Sequence, residues 1–232
     1  MNGKCVVAGA ALVVLAGCAT EAPHYYSLQS ASLAAPPAAA AQVDAAYAIS
    51  VQPVMVPDQV ARPQILVQMA EGSEVVPLST ALWAGPLEAQ WRSALAANLT
   101  RRLNVMDLGT ARVGDALPVW QIFVDVQQFD SHYGRMAQQQ IVWRLVPPAT
   151  LKSAKPRVCT AQASVPVDVG MSALVEGHRQ AVAGLAEAIA ATLPAPGKGA
   201  GAGGSGARAA GSSAATGAAS LPAGVVFRGC TA

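Results

Sequence analysis

The sequence predicts an α+β fold: a mainly antiparallel sheet with two helices packed on it, followed by a flexible C-terminal tail. Three observations carry the expectation. Two stretches repeat apolar residues at helical spacing, several segments alternate apolar and polar residues with period two, and Pro194 to Ser220 contains only Pro, Ala, Gly, Lys, Ser, Arg and Thr.

The elements follow in chain order. His24 to Leu28 has strand character, with Tyr26 and Leu28 in phase, and Ser30 to Ala46 is an Ala/Pro-rich spacer. Tyr47 to Met55 alternates through Ile49 and Val51, with Pro53 marking an edge or a bulge. Pro63 to Met69 and Glu74 to Leu78 are two further short strands. Gly85-Pro86 then supplies an N-cap and first helical position, with Glu88 favourable to the helix dipole. Leu87, Trp91, Leu95, Leu99 and Leu103 form the apolar stripe of that helix. Val119 to Phe129 places Trp120, Ile122, Val124 and Val126 on one face, and Phe123, Asp125, Gln127 and Phe129 on the other. Asp130 to Gly134 makes a hairpin turn into Arg135 to Val146, where Ala137, Ile141, Trp143 and Leu145 share a face. Val158 to Val167 alternates again. Met171 to Leu193 is the second helix, with Leu174, Val175, Val182, Leu185, Ile189 and Leu193 on one stripe. From Tyr47 onward the order is β-β-β-α-β-β-β-α, which points to helices covering one sheet.

Composition excludes several classes. Lys+Arg 15 against Asp+Glu 13 and the absence of a basic block argue against a nucleic-acid partner. Charged residues are 12% of the chain, about half the usual globular share, while aromatics are only 5%, so much of the 53% hydrophobic content is alanine. No apolar run reaches the 18 residues of a membrane span.

The start reads as a lipoprotein leader. Lys4 precedes an apolar run from Cys5 to Leu15, too short to span a bilayer but suited to a secretory signal, and Leu15-Ala16-Gly17-Cys18 follows. This ending resembles a bacterial lipobox, with cleavage between Gly17 and Cys18 and diacylglycerol on the Cys18 thiolate. Several acyl chains hold a protein on a membrane durably. Ala19, in place of an aspartate, favours sorting to the outer membrane, facing the periplasm. His24 comes six positions after Cys18, roughly 20–25 Å when extended, so the body is expected to sit close over the lipid. The division is then 1–17 signal peptide, 18–193 domain, 194–220 linker and 221–232 a docked C-terminal segment.

With Cys5 removed and Cys18 alkylated, Cys159 and Cys230 are the two thiols left in an oxidising compartment, and they are expected to form a disulfide. The apolar triplet Val225-Val226-Phe227 beyond the linker fits an edge strand returning to the body.

Chemistry-bearing constellations are sparse. His24, His132 and His178 have no spacing suited to a metal. Asp130-Ser131-His132 holds the residue types of a hydrolase triad, but consecutive residues cannot align them. His178, amid Leu174, Val175 and Val182, reads as a packing or interface residue. No catalytic residue, metal or cofactor is expected. Trp83 and Trp91 are eight residues apart and belong to the core, to an apolar lipid groove or to a partner seam.

Taken in order, Tyr25 to Leu28, Ile49 to Pro57, Arg62-Pro63-Gln64-Ile65, Trp83 with Pro86-Leu87, the helix to Leu103, Val124 to Phe129 and Trp143 carry a resemblance. The stretch from Cys18 to about Leu193 is similar to the auxiliary lipoproteins of ABC-type lipid transport, the paraquat-inducible protein C (PqiC-like) family. The resemblance implies a docking element at the outer membrane for a periplasmic MCE-domain protein, held in the inner leaflet by acyl chains, and admits a homo-oligomeric ring. It marks Arg62, Pro63, Gln64 and Trp83 as candidate interface residues. A lipid-binding carrier and a structural envelope lipoprotein are the alternatives.

Overall fold

Strand pairing gathers the alternating segments into one eight-stranded sheet. The computed structural model describes residues 21–29, 46–69, 74–111, 117–195 and 221–231; the leader, the Gly17–Cys18 junction, the spacer at 30–45 and the linker at 196–220 lie outside them. In chain order the elements are β1 (His24–Tyr26), β2 (Ala48–Val51), β3 (Gln64–Gln68), β4 (Val75–Trp83), α1 (Leu87–Leu103), β5 (Val119–His132), β6 (Met136–Val146), β7 (Arg157–Pro166), α2 (Met171–Ala190) and β8 (Val225–Thr231).

The sheet runs β1-β4-β3-β5-β6-β7-β8, with β2 also paired to β5. Its long half, β5 to β8, is antiparallel throughout, whereas β1 lies parallel to β4 and both β2 and β3 run parallel to β5. β2 and β3 thus share one edge of β5: β2 takes residues 119–122, and β3 joins only at Gln68 opposite His132. Between them Met55 bridges to Asp125. Pro53, without an N–H to give, separates β2 from that bridge.

Both apolar helix stripes are buried. Leu87, Trp91, Leu95, Leu99 and Leu103 of α1 and Leu174, Val175, Val182, Leu185 and Ile189 of α2 lie in one core with Ile122, Ile141, Trp143 and Leu145 of the sheet. α1 begins one residue later than expected: Pro86 is the N-cap, and Gln90 N–H donates to its carbonyl. Asn104, in the left-handed region at φ 49°, closes the helix. Close approach of α2 to the sheet depends on Gly177, where a Cβ would stand 2.2 Å from Val167 Cγ1.

Two expectations need correction. Trp83, named among the candidate interface residues, is not at a surface: it ends β4, is only 4% exposed, and meets the Phe129 ring edge-on at 5.9 Å. As an interface residue it is ruled out by its place in the core. Phe129, expected opposite Val126, shares the core face with it. A bulge between Val126 and Gln128 inserts one residue, leaves Gln127 exposed, and reverses the alternation downstream. Phe129 and Ser131 therefore turn toward the helices.

Candidate functional site

The chain arriving from the predicted anchor is fastened as soon as it reaches the body. After β1, the Tyr26 carbonyl accepts from Ala84 N–H at 2.7 Å. Leu28 N–H donates to Gln90 Oε1 of α1 at 2.9 Å, and Gln90 Nε2 donates to the Gly85 carbonyl. Arg179 of α2 donates through Nε to the Ser27 carbonyl at 2.9 Å and is paired with Glu176. One short segment is thus tied to a neighbouring strand turn and to both helices.

Arg62 and Pro63 are exposed and Gln64 is half-buried. The Pro63 carbonyl accepts from Trp83 N–H at 2.7 Å, so the loop is held at its base while the Arg62 side chain faces outward. Of the four candidate interface residues, the structure keeps three at or near the surface and takes Trp83 inside.

The bulge in β5 builds a buried polar cluster that sequence reasoning missed. Trp91 Nε1 donates to Gln139 Oε1 at 2.9 Å. Because an indole can only donate, the Gln139 amide nitrogen must face the other way, donating to the His178 carbonyl at 3.1 Å and to His178 Nδ1 at 3.0 Å. Nδ1 is then the acceptor of the ring, and Nε2 carries the proton that it shares with Ser131 Oγ at 2.8 Å. The ring stacks on Phe129 at 4.1 Å, nearly parallel. His178 and Gln139 are fully buried. Burial lowers the His178 pKa from 6.5 to about 3, with the nearby charge of His132 adding to it. A Ser–His pair at this distance suggests acyl-transfer chemistry, but here the imidazole donates to the hydroxyl instead of drawing its proton. The cluster joins α1, β5, β6 and α2 as a pin. Gln139, in phase with Ala137 and Ile141, was the readable signal: a polar residue on an apolar face.

At the far edge, Cys159 of β7 and Cys230 of β8 are directly opposite in register and disulfide-bonded, 71 residues apart in sequence. Phe227 of β8 lies 5.9 Å from the Trp143 ring.

A cleft of about 460 Å³ is lined by Ser50, Gln52, Gly109, Thr110, Ala111, Val119 and Gln121. Ser50 Oγ donates to the Gly109 carbonyl, and Asp107 Oδ1 accepts from Val51 N–H and Gly109 N–H. Arg92 closes the group through an ion pair with Asp107 at 2.7 Å. Among the described residues no three His, Cys, Asp or Glu side chains converge as metal ligands, and no helix is long and apolar enough to cross a membrane.

Residues 26–190 match the family model of the ABC-type transport auxiliary lipoprotein component. No curated protein matches the chain. Among solved structures, the fold resembles the crystal structure of an uncharacterized protein at a TM-score of 0.56 and 21% identity, covering 73% of this chain and 97% of that one. Protein XCC0632 from Xanthomonas campestris gives a TM-score of 0.49 at 16% identity, over 62% of this chain and 81% of that one.

Proposed function

The chain belongs to the ABC-type transport auxiliary lipoprotein family, and from that premise we propose that it is the outer-membrane docking element of an intermembrane lipid-transport system, holding a periplasmic MCE-domain protein near the bilayer. The observation that carries the reading is the Leu15-Ala16-Gly17-Cys18 motif placed six residues ahead of a segment fastened to the body at Tyr26, Ser27 and Leu28. An anchor so close to a rigid body converts membrane attachment into position and orientation. The contribution to transport is effective concentration of the partner at the membrane, with no bond chemistry.

An acyl-chain carrier would need an apolar cavity of several hundred Å³. The cleft of that size mixes hydroxyl, amide and backbone groups with just two small apolar residues, Ala111 and Val119, and the space between helices and sheet is filled by side chains such as Trp91, Trp143 and Leu185. Both favour docking over carriage.

Two experiments test the proposal. Cys18→Ser should release the protein into the soluble periplasmic fraction, and its persistence in membranes would refute the anchor. Affinity capture of the full chain from gently solubilised envelopes should recover an MCE-domain protein. Its repeated absence would refute the docking role while leaving family membership untouched.

A further inference from the structure

We propose that the end of the sheet where β3 stops, β4 starts and β5 turns into β6 is a membrane-facing tip, resting apolar side chains in the headgroup region of the bilayer that carries the anchor. The proposal rests on the lipidation reading above.

Three apolar side chains stand out from this end: Val169 is 76% exposed, Met69 53% and Val75 43%. They form one row. Gln68, next to Met69, pairs with Val75 on one side and His132 on the other, and its carbonyl accepts from Tyr133 N–H at 3.1 Å. Val169 packs on the turn at Gly134, where an added Cβ would come within 3.0 Å of it. Glu74, Asp168 and Arg135 flank the row at exposed positions, so its charge is mixed. An interfacial contact here draws on apolar burial more than on attraction to anionic lipid.

The direction of the tether selects this end. β1 is parallel to β4, with His24 beside Ala81 and Tyr26 beside Trp83, so the chain upstream of His24 arrives from the side where β4 begins. Ala81, the partner of His24, lies six residues from Val75 along β4, which puts His24 about 20 Å from the tip. Six extended residues reach about 20 Å. The opposite end of the sheet, where Met106 is 56% exposed and its carbonyl accepts from Ile49 N–H, lies near Trp120, twelve residues or about 40 Å along β5 from His132. From His24 that end is also roughly 20 Å away, but in the direction away from the incoming chain. The direction of arrival, more than the reach, favours the tip.

The test uses the full lipidated chain, reconstituted in vesicles of phosphatidylethanolamine and phosphatidylglycerol. p-Benzoylphenylalanine is placed singly at Val169, Met69 or Met106, all exposed positions, and lipid adducts are read by mass spectrometry after illumination. Adducts at 169 and 69 should exceed those at 106 at least several-fold. Equal yields at the three sites, a preference for 106, or vesicle-bound protein without adducts at 169 and 69 would overturn the tip and leave the anchor standing. Wild-type chain that fractionates as soluble would overturn the anchor reading and the tip with it.

Discussion

Lowering the pH from 7.5 to 5 should cost the folded protein about 2 kcal/mol through His178 alone. The folded ring has its pKa lowered to about 3 because it is fully buried, with the nearby charge of His132 adding to the effect. In the unfolded chain it titrates near 6.5. Between pH 6.5 and 3 the unfolded state therefore binds a proton that the native state refuses. Stability is fully present above 6.5 and falls as the pH drops through that window. With those two values the linkage is about 0.1 kcal/mol at pH 7.5 and about 2 kcal/mol at pH 5. Urea unfolding at a series of pH values measures it, with the same series on His178→Gln as the reference. The variant is expected to be less stable at pH 7.5 but to lack this component of the slope. An equal acid slope in both proteins would refute the linkage. So would histidine ring resonances showing that His178 in the folded chain takes its proton near pH 6.5.

Other expectations follow from the same contacts. Gln139→Leu strands the Trp91 indole N–H and the His178 Nδ1 acceptor in the core and should cost about 2–4 kcal/mol by chemical denaturation, since buried groups left unpaired lose about 1–3 kcal/mol each. Cys230→Ser opens a 71-residue covalent loop; loss of about 4 kcal/mol, seen as a lower urea midpoint, is expected from chain entropy, and an unchanged midpoint would count against the bridge. Gly177→Ala should destabilise despite a helix-propensity gain of about 1 kcal/mol, because the new methyl meets Val167 Cγ1 at 2.2 Å and a β-branched side chain has little room to turn. A net loss of about 1–2 kcal/mol is the expected reading of its melting curve. Asp107→Ala leaves Arg92 and the Val51 and Gly109 amides without their acceptor, for a loss of about 2 kcal/mol.

Periodicity made much of this fold legible. The α1 stripe from Leu87 to Leu103 and the alternation of β6 and β7 are strong repeats, and they correspond to buried faces in the structure. The α2 stripe ended slightly early, with Leu193 buried beyond the last helical turn. What escaped notice depends on pairing between distant segments. The parallel placement of β1 on β4 and of β2 on β5 has no local signature. Nor does the bulge at Gln127, which leaves composition unchanged while reversing which residues face the core. The buried cluster escaped for the same reason, since Ser131 belongs to it only through that reversal. Trp83 was misplaced because Gly85-Pro86 marks a helix start without saying that the strand before it runs to Trp83.

The fastening of the segment after β1 also bears on mechanics. If, on the proposed reading, Cys18 carries the anchor and a partner spanning the periplasm pulls the body away from the outer membrane, tension would enter through that anchor and run along the axis of β1. Parallel pairing with β4 places that load in shear, so the bonds made by Tyr26, Ser27 and Leu28 share it instead of opening one after another. Strain is then passed to both helices at once through Gln90 and Arg179. Such an arrangement acts as a bollard, able to hold a moored complex without the mooring line unravelling the quay.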